Sequence, residues 1–298
     1  MKKLFLLSSL LFFLAGCGPR FIYPHLNWLI PWYVGGYISL DDTQKSMLQK
    51  RLLKQLEWHC RTQLPDYAKI LRAMSREFGN PDQRLSYSKI YSYYNHMMKL
   101  WKDLMQQIGP DIADILITAS DEQIAELFDN LAEQNQEYRE EYVDLPIEKL
   151  TENRQKRMIK RLKYWISNPT SEQKTAIYAW SKQVVPLSED WLQNREILQT
   201  EARRLLSRRS SSPDFRADLL QFIVNPESLR TTAYQAKIEA NLETTIRFII
   251  QLDRLLTPGQ RTRLLKRIES LAGDFDKLSC DPKDIPRVYR PEGDLAPL

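Results

Sequence analysis

The stretch LDDTQKSMLQKRLLKQLEWHC, residues 40–60, predicts the start of a long amphipathic helix. Asp41 stands three residues before Gln44, which is the spacing of a capping box. In such a box the acidic side chain accepts from a free backbone N–H, and the glutamine reaches back to the cap. Apolar side chains then recur at intervals of four, at Leu48, Leu52, Leu56 and Cys60. We therefore predict a helix that begins at residue 41 and packs through this face.

The same start signal occurs three more times along the chain. Its paired residues are Ser120 with Gln123, Thr170 with Gln173, and Thr257 with Gln260. Each glutamine is followed four residues later by an apolar side chain, and Pro258 falls at a first helical position, where a missing N–H costs nothing. Helix starts distributed in this way predict an all-α fold.

Glycine and proline usage supports long helices. The chain has only 9 glycines in 298 residues, and no segment alternates apolar and polar residues between hairpin turns, so we predict no sheet. Gly79, Gly109 and Gly273 stand where helices are expected to end. Pro65 and Pro186 are expected to break or kink their helices.

We predict an elongated multi-helix bundle. The predicted helices span 21–37, 41–63, 66–78, 86–108, 110–118, 121–143, 147–167, 171–207, 214–224, 227–255 and 258–272. Residues 41–279 are expected to form one helical domain with a soft boundary near residue 145. Residues 280–298, rich in Pro, Asp and Gly, are expected to form a tail.

The first sixteen residues have the order of a signal peptide. Lys2 and Lys3 give a positive start, and the apolar run at residues 4–14 is about half as long as the ~20 residues of a spanning helix. The run closes with Leu14, Ala15, Gly16 and Cys17. This ending resembles the lipobox of bacterial lipoproteins, which implies cleavage before Cys17 and covalent lipid on that cysteine. The alternative is an ordinary secreted protein with a cysteine there by chance.

The resemblance also implies a location. Three acyl chains on Cys17 would anchor the chain essentially for good, since each buried methylene adds about 0.8 kcal/mol. Gly18, in place of an aspartate, favours the periplasmic face of the outer membrane over the inner membrane. Loss of two lysines with the leader lowers the formal charge from +5 to +3, which excludes a typical nucleic-acid binder.

Residues 17–40 combine the anchor with an aromatic segment, and two interpretations stay open for it. Its rings are Tyr23, Trp28, Trp32, Tyr33 and Tyr37. Amphipathic rings favour the lipid headgroup zone, so the segment could lie on the membrane. We favour the alternative, a helix that folds back onto the bundle, because it leads directly into the first capping box.

Cys60 and Cys280 are the two cysteines beyond the leader. In an oxidising compartment they could form a disulfide that closes a loop of about 220 residues, worth about 5 kcal/mol in the chain-entropy model. The alternative is two buried thiols, and the sequence does not choose between them.

Charge alternates between two neighbouring segments. Residues 121–148 have ten acidic side chains against Arg139, and residues 149–163 have seven basic ones against Glu152. We expect the two helices to be antiparallel neighbours that compensate each other. The alternative is a surface for anionic lipid, formed by Arg154, Lys156, Arg157, Lys160, Arg161 and Lys163, with the arginines at 203, 204, 208 and 209 adding a second patch.

Catalytic patterns are scarce. His25, His59 and His96 lack the spacing of a zinc or di-iron site, and no phosphate loop or nucleophile elbow occurs. We therefore expect no catalytic residues, no metal and no cofactor other than the lipid. The leading hypothesis is a non-enzymatic envelope protein that binds a protein or an anionic lipid partner and behaves like a chaperone. The alternative is a cell-wall or lipid hydrolase that uses acidic residues.

Two resemblances accompany these motifs. The lipobox, the aromatic stretch 23–37, the box at 40–44 and Trp58-His59 before Leu64-Pro65 resemble a family of Gram-negative lipoproteins known as a domain of unknown function. That resemblance covers nearly the whole chain and implies no activity. Separately, Leu256-Thr257-Pro258-Gly259-Gln260 resembles the LTxxQ motif of the Spy and CpxP family of periplasmic chaperones.

Overall fold

The computed structural model describes residues 18–80 and 85–280, and all regular structure within those ranges is helical. The predicted all-α bundle is confirmed. Its ten longer helices are α1 Leu26–Val34, α2 Asp42–Gly79, α3 Tyr87–Leu116, α4 Asp121–Tyr142, α5 Ile147–Ile166, α6 Ser171–Gln183, α7 Ser188–Leu206, α8 Phe215–Val224, α9 Thr232–Arg254 and α10 Pro258–Leu278. A turn at Pro19–Ile22 and 3₁₀ segments at Tyr23–His25 and Pro226–Leu229 complete them.

Each of the four capping boxes begins a helix. Asp41, Ser120, Thr170 and Thr257 precede α2, α4, α6 and α10, and each side chain accepts from the backbone N–H of the glutamine three residues later. Each glutamine Oε1 accepts in return from the backbone N–H of its cap, at 2.9 to 3.1 Å. These bonds satisfy donors that a helix start leaves unpaired, and such a cap stabilises a helix by about 1 kcal/mol.

The glutamines of the first two boxes also bond to each other. Gln44 Nε2 donates to Gln123 Oε1 at 3.0 Å, and Gln123 Nε2 donates to Gln44 Oε1 at 2.7 Å. Their second amide hydrogens reach backbone carbonyls, from Gln44 to Thr118 O at 3.1 Å and from Gln123 to Ser39 O at 2.6 Å. The starts of α2 and α4 are thereby joined.

The other two boxes repeat the arrangement. Gln173 Nε2 donates to Gln260 Oε1 at 2.7 Å, and Gln260 Nε2 donates to Gln173 Oε1 at 3.0 Å. Gln173 also donates to Leu255 O at 2.8 Å, and Gln260 to Asn168 O at 3.2 Å. In both pairs the carbonyl lies two residues before the partner's cap. The chain thus contains the same joint twice, and the second one joins α6 to α10.

Three apolar clusters hold the helices together. The first consists of Ile38, Ala113, Ala119, Ile124, Phe128, Leu205, Leu206, Phe215 and Leu219. The second consists of Tyr23, Leu52, Leu56, Cys60 and Leu64, with Phe275 and Leu278 packed against it. The third consists of Ala176, Ile177, Phe248 and Leu252. The second cluster packs the N-terminal segment and the end of α10 onto α2, which positions the surfaces described below.

Two predicted helix breaks at prolines are wrong. We expected separate helices at 41–63 and 66–78, yet α2 runs unbroken through Pro65. We also expected a break before Pro110, yet α3 runs through it. An interior proline costs about 3 kcal/mol or more. Here the buried face continues across Pro65, with Leu64 and Ala68 both buried, so burial of this face offsets the cost of the proline.

Two of the three predicted glycine stops are also wrong. Gly109 lies inside α3, where a Cβ would stand 2.8 Å from Leu220 Cδ1, so it permits close contact with α8. Gly273 lies inside α10, which continues to Leu278. Gly79 is the last residue of α2, as predicted. Gly109 therefore serves close helix packing and not a turn. The sequence around it does not distinguish these two roles.

Other boundaries moved by a few residues. The predicted break at Pro186 is confirmed, and it divides the helix predicted at 171–207 into α6 and α7. The helix predicted at 227–255 begins only at 232, because the Thr231 side chain accepts from the Tyr234 N–H and caps α9. The helix predicted at 21–37 is interrupted by the 3₁₀ segment that contains Pro24.

Cys60 and Cys280 are joined by a disulfide bond in the structure. Their Cα atoms are 5.3 Å apart, and 220 positions of the chain separate them. Cys60 is fully buried, and its backbone carbonyl accepts from the Cys280 N–H at 3.2 Å. The bridge fastens the end of α10 to the middle of α2. The predicted signal peptide, the lipobox residues, Cys17 and the tail from 281 onward lie outside the described residues.

Candidate binding surfaces

A stripe of aromatic and methionine side chains lies on the outside of α3. We define this α3 stripe as Tyr87, Tyr91, Tyr94, Met98 and Trp101. The spacing alternates between four and three residues, which places the five side chains on one helical face. Four of them are exposed, and Trp101 keeps 54% of its surface accessible. Large apolar side chains that share an exposed face form a contiguous patch, which is typical of an interaction surface.

The stripe is ordered by ring contacts within α3. Ring centroids are 5.9 Å apart for Tyr87 and Tyr91, and 6.1 Å apart for Tyr91 and Tyr94, with near-parallel planes in both pairs. Tyrosine side chains have few rotatable bonds, so a stacked row offers contact area at a low entropic cost.

The opposite side of α3 is fixed to α2. Leu100 is buried, and its carbonyl accepts from Gln63 Nε2 at 2.9 Å. Lys89 forms an ion pair with Glu77 at 2.6 Å. The stripe therefore cannot turn inward without breaking these contacts.

A second exposed aromatic face lies at the N-terminal end of the described chain. We define this N-terminal face as Phe21, His25, Trp28 and Trp32, all of which are exposed. Phe21 keeps 71% of its surface accessible, Trp28 56% and Trp32 51%. The other side of the same segment packs on the bundle, as the favoured interpretation predicts, but the two tryptophans do not, and contact of the segment with a membrane stays a prediction.

Packing of the inner side begins at Tyr23. Its ring is buried, and its hydroxyl lies 3.2 Å from Leu56 O and 3.1 Å from His59 Nδ1. Leu26 and Ile30 pack against the same cluster on α2. The segment is thus held in place through one side and leaves its N-terminal face uncovered.

His59 lies inside an aromatic cluster beside the disulfide. Its ring centroid is 5.7 Å from those of both Tyr23 and Tyr67. Burial lowers the pKa of His59 to about 4 from its ordinary 6.5. The imidazole is therefore neutral at neutral pH, and protonating it in the folded protein is unfavourable.

We expect stability to fall as the pH falls from 6.5 to 4. In that window the unfolded chain protonates His59 and the folded chain does not, so the free energy of unfolding decreases by about 1.4 kcal/mol per pH unit, or about 3 kcal/mol overall. Below pH 4 both states are protonated and this contribution stays lost. Urea titrations across the range should show a weaker decrease in His59→Gln. His96→Gln, on the exposed part of α3, is the control and should keep the full decrease.

The two oppositely charged helices are not the packed pair that the sequence predicts. α4 packs against α7, and α5 packs against α6 and α10. The charge pattern was misleading because burial of apolar faces fixes the neighbours of a helix, and exposed charges contribute little.

The basic residues of α5 divide into structural and exposed groups. Arg154 donates to Ser181 O at 2.6 Å, where it caps the end of α6. Lys156 pairs with Glu152 at 2.5 Å. Lys156 is exposed despite this ion pair, and so are Arg157, Lys160, Arg161 and Lys163. Binding of anionic lipid by these residues stays a prediction.

The four arginines of the second predicted patch all contact the protein itself. Arg203 lies over the Phe128 ring at 4.2 Å, and Arg204 pairs with Glu201 at 2.6 Å. Arg208 pairs with Asp218 at 3.0 Å and Arg209 with Asp121 at 2.6 Å. These contacts join the arginines to the bundle, while Arg203 and Arg204 remain exposed, so binding of anionic lipid at this patch stays a prediction.

One open polar groove of about 370 Å³ lies between α4, α7 and α9. Its lining residues are Arg139, Glu189, Asp190, Gln193, Glu196 and Lys237. Two of its carboxylates face cations, because Lys237 lies 2.8 Å from Asp190 and Arg139 lies 3.7 Å from Glu196. The groove is thus crossed by ion pairs.

Residues 18–80 and 85–280 contain no group of three His, Cys, Asp or Glu that could hold a metal ion. In the same part of the chain, no helix combines the length and the apolar character needed to cross a bilayer.

The fold and its surfaces define an all-helical protein with two outward-facing aromatic surfaces. The chain belongs to the family described as a family of unknown function (DUF6279), which matches residues 36–235, about two thirds of its length. The match includes the α3 stripe and the first three capping boxes, and ends before α10. Searches of curated proteins and of solved structures find no match.

The α3 stripe was not predicted from the sequence. The signal was present as aromatic and methionine residues that alternate at intervals of four and three between 87 and 101. Such spacing is ordinarily a buried face, and only the structure shows that this one faces outward.

Proposed function

We propose that this protein is a non-enzymatic lipoprotein, anchored through Cys17 to the periplasmic face of the outer membrane, that binds an amphipathic helix of a partner protein along the α3 stripe. The exposure of that stripe is the observation that carries the proposal. The covalent lipid is the only added group that the proposal requires.

The first residues of the chain support the anchor. A short apolar run ends in Leu14, Ala15, Gly16 and Cys17, and Gly18 follows in place of an aspartate. The bond between Cys60 and Cys280 fits an oxidising compartment such as the periplasm.

The spacing of the stripe identifies the kind of partner. Five side chains at alternating intervals of four and three repeat every 3.5 residues on average, which is the period of a coiled-coil seam. The complement of such a seam is another helix, whose side chains fit between those of the first. Methionine at 98 adds adaptability, because its unbranched side chain adjusts to different neighbours.

Charge beside the stripe favours an acidic partner over a second copy. Lys99 and Lys102 directly follow Met98 and Trp101 of the stripe; Lys99 pairs with Asp103 at 2.6 Å, and Lys102 forms no ion pair within the described residues. Two copies placed side by side would bring these lysines together, and like charges at an interface are unfavourable. A partner helix with acidic flanks would instead be attracted.

Support for a non-enzymatic role comes from the use of the polar groups. Carboxylates in the open groove pair with Lys237 and Arg139, and Asp114 pairs with Arg216 at 2.8 Å. His59, the most buried imidazole of the three described, packs between tyrosine rings. These groups are used to join helices, and no specific observation favours the hydrolase alternative.

Site-specific photo-crosslinking tests the proposal. A photoreactive phenylalanine analogue replaces Met98 in the full chain, and Ser92, on another side of the same helix, is replaced in the control. The probe is a labelled synthetic helix with leucines at heptad positions and glutamates on its flanks. We expect at least about tenfold more adduct at position 98, because a photoreactive group reacts with the atoms that it touches and the bound helix should cover position 98 at the centre of the interface but not position 92.

Two double variants test whether adduct formation depends on the α3 stripe or on any exposed apolar side chain. Tyr91→Ser with Trp101→Ser should abolish the adduct at position 98, whereas Ile117→Ser with Tyr178→Ser, which removes exposed side chains elsewhere, should preserve it. Equal adducts at positions 92 and 98 would contradict the proposal. Adducts between two copies of the chain would contradict the acidic partner.

A chaperone-like action has its own test. The full chain should suppress the aggregation of a chemically unfolded test protein, and the variant with serine at 91 and 101 should lose most of that effect. Equal suppression of aggregation by the two chains would show that this activity does not require the α3 stripe.

A further inference from the structure

We propose that the N-terminal face, Phe21, His25, Trp28 and Trp32, lies in the headgroup zone of the bilayer and holds the bundle flat on the membrane. The inference rests on the lipid anchor of the proposed function. It assigns a second and separate contact to the protein, with lipid as its occupant.

The placement of the four side chains supports a planar contact. They stand at intervals of four, three and four residues, so they project from one side of the segment. Aromatic rings with a polar edge favour the interface between headgroups and acyl chains. Two of the four are tryptophans, which that interface particularly favours.

The length of chain between the anchor and the face limits their separation. Only four residues lead from Cys17 to Phe21, and four residues span at most about 14 Å when fully extended. The acyl chains fix Cys17 at the lipid surface. The start of the N-terminal face is therefore held within about 14 Å of the lipid surface.

The inner side of the segment gives the contact its direction. Tyr23, Leu26 and Ile30 pack on α2, so the segment cannot roll over to bury its tryptophans. Membrane lipid is the occupant that the anchor places nearest to this face.

Little positive charge accompanies the face. Arg20 is the basic residue next to it, and its Nε lies 3.9 Å from Asp274. We therefore expect the contact to depend on the aromatic rings and to respond weakly to salt or to the fraction of anionic lipid.

A flat orientation of the bundle follows from the path of the chain. Tyr23 contacts the middle of α2 at Leu56, and Ile38 lies in the cluster with Ala119 and Ile124, beside the start of α2. α1 is thus antiparallel to the first half of α2. If the outer side of α1 faces lipid, α2, 38 residues and about 57 Å long, lies parallel to the membrane plane.

Fluorescence quenching by brominated lipid tests this inference. The acylated full chain is reconstituted into vesicles of phosphatidylethanolamine and phosphatidylglycerol that contain lipid brominated near the headgroups. We expect Trp28→Phe with Trp32→Phe to remove at least half of the quenching. The matched control, Trp101→Phe with Trp191→Phe, removes two other exposed indoles and should leave the quenched intensity unchanged.

A second readout reports the orientation. In polarised infrared spectra of supported bilayers, the amide I dichroism of the wild type should show helices parallel to the membrane. Phe21→Ser, Trp28→Ser and Trp32→Ser together should abolish that dichroism while the circular dichroism spectrum stays helical.

The outcomes separate the inference from the anchor. Mass spectrometry of the N-terminal peptide shows whether Cys17 is acylated. An acylated chain whose quenching is the same in both double variants overturns the inference and leaves the anchor intact. A chain without acyl groups overturns the anchor and the inference together.

Discussion

Gln173→Glu is expected to lower the free energy of unfolding by about 4 kcal/mol. The change keeps the size of the side chain and replaces the amide NH₂ with a carboxylate oxygen. That oxygen would face Gln260 Oε1 and Leu255 O, which now lie 2.7 and 2.8 Å from Gln173 Nε2. Gln173 is fully buried, so water cannot supply the hydrogen-bond donor that the new carboxylate oxygen, Gln260 Oε1 and Leu255 O would all lack.

Urea denaturation with Gln106→Glu as the control measures this effect. Gln106 is exposed in the middle of α3, and its substitution should change stability by less than about 0.5 kcal/mol. Because a protonated carboxyl group can donate, part of the loss in Gln173→Glu should be regained as the pH is lowered. A decrease of less than about 1 kcal/mol in the free energy of unfolding at neutral pH would show that the two hydrogen bonds between Gln173 and Gln260 do not form.

Loss of the bridge between Cys60 and Cys280 is expected to cost about 5 kcal/mol. The bond closes a loop of 220 positions and so restricts the unfolded chain strongly. Cys60→Ala with Cys280→Ala should unfold at a markedly lower urea concentration than the wild type without reductant.

Reductant provides the control for the packing of the sulfur atoms. Dithiothreitol should destabilise the wild type by a similar amount and leave the double variant unchanged. Alkylation without reductant, followed by mass spectrometry, should modify neither Cys60 nor Cys280 in the wild type. Alkylation of both cysteines, or a urea midpoint of unfolding that dithiothreitol does not change, would contradict the bridge.

Helix starts could be predicted from the sequence because they are local. A capping box needs only two side chains three residues apart, and all four boxes begin helices in the structure. The partner of each box could not be predicted. Gln44 bonds to Gln123 and Gln173 to Gln260 because tertiary packing brings those helix starts together, and nothing in the boxes themselves chooses among the combinations.

Errors in the prediction have a common physical origin. Pro65 and Gly109 were assigned their local preferences, and continuous burial along α2 and close contact between α3 and α8 outweighed them. Likewise, the charges of α4 and α5 suggested neighbours, whereas apolar faces decided them. Predictions from local preferences failed where a tertiary contact contributed more stabilising free energy than the local preference cost.

The surfaces were predictable only in part. Rings between residues 23 and 37 pointed to either a membrane contact or a core helix, and the structure places Tyr23 inward and Trp28 outward. The orientation of each ring depends on where α2 lies, which periodicity alone does not give. The same reason kept the α3 stripe from being recognised.

The two glutamine joints have a consequence for the order of folding. Each joint connects positions 79 or 87 residues apart, whereas a capping box forms within a single turn. Contacts between distant positions form late, because closing the intervening chain costs entropy before the contact forms. The helices can therefore nucleate one by one, and the joints should lock only near the end. A substitution in a joint should then hasten unfolding and leave the refolding rate almost unaltered.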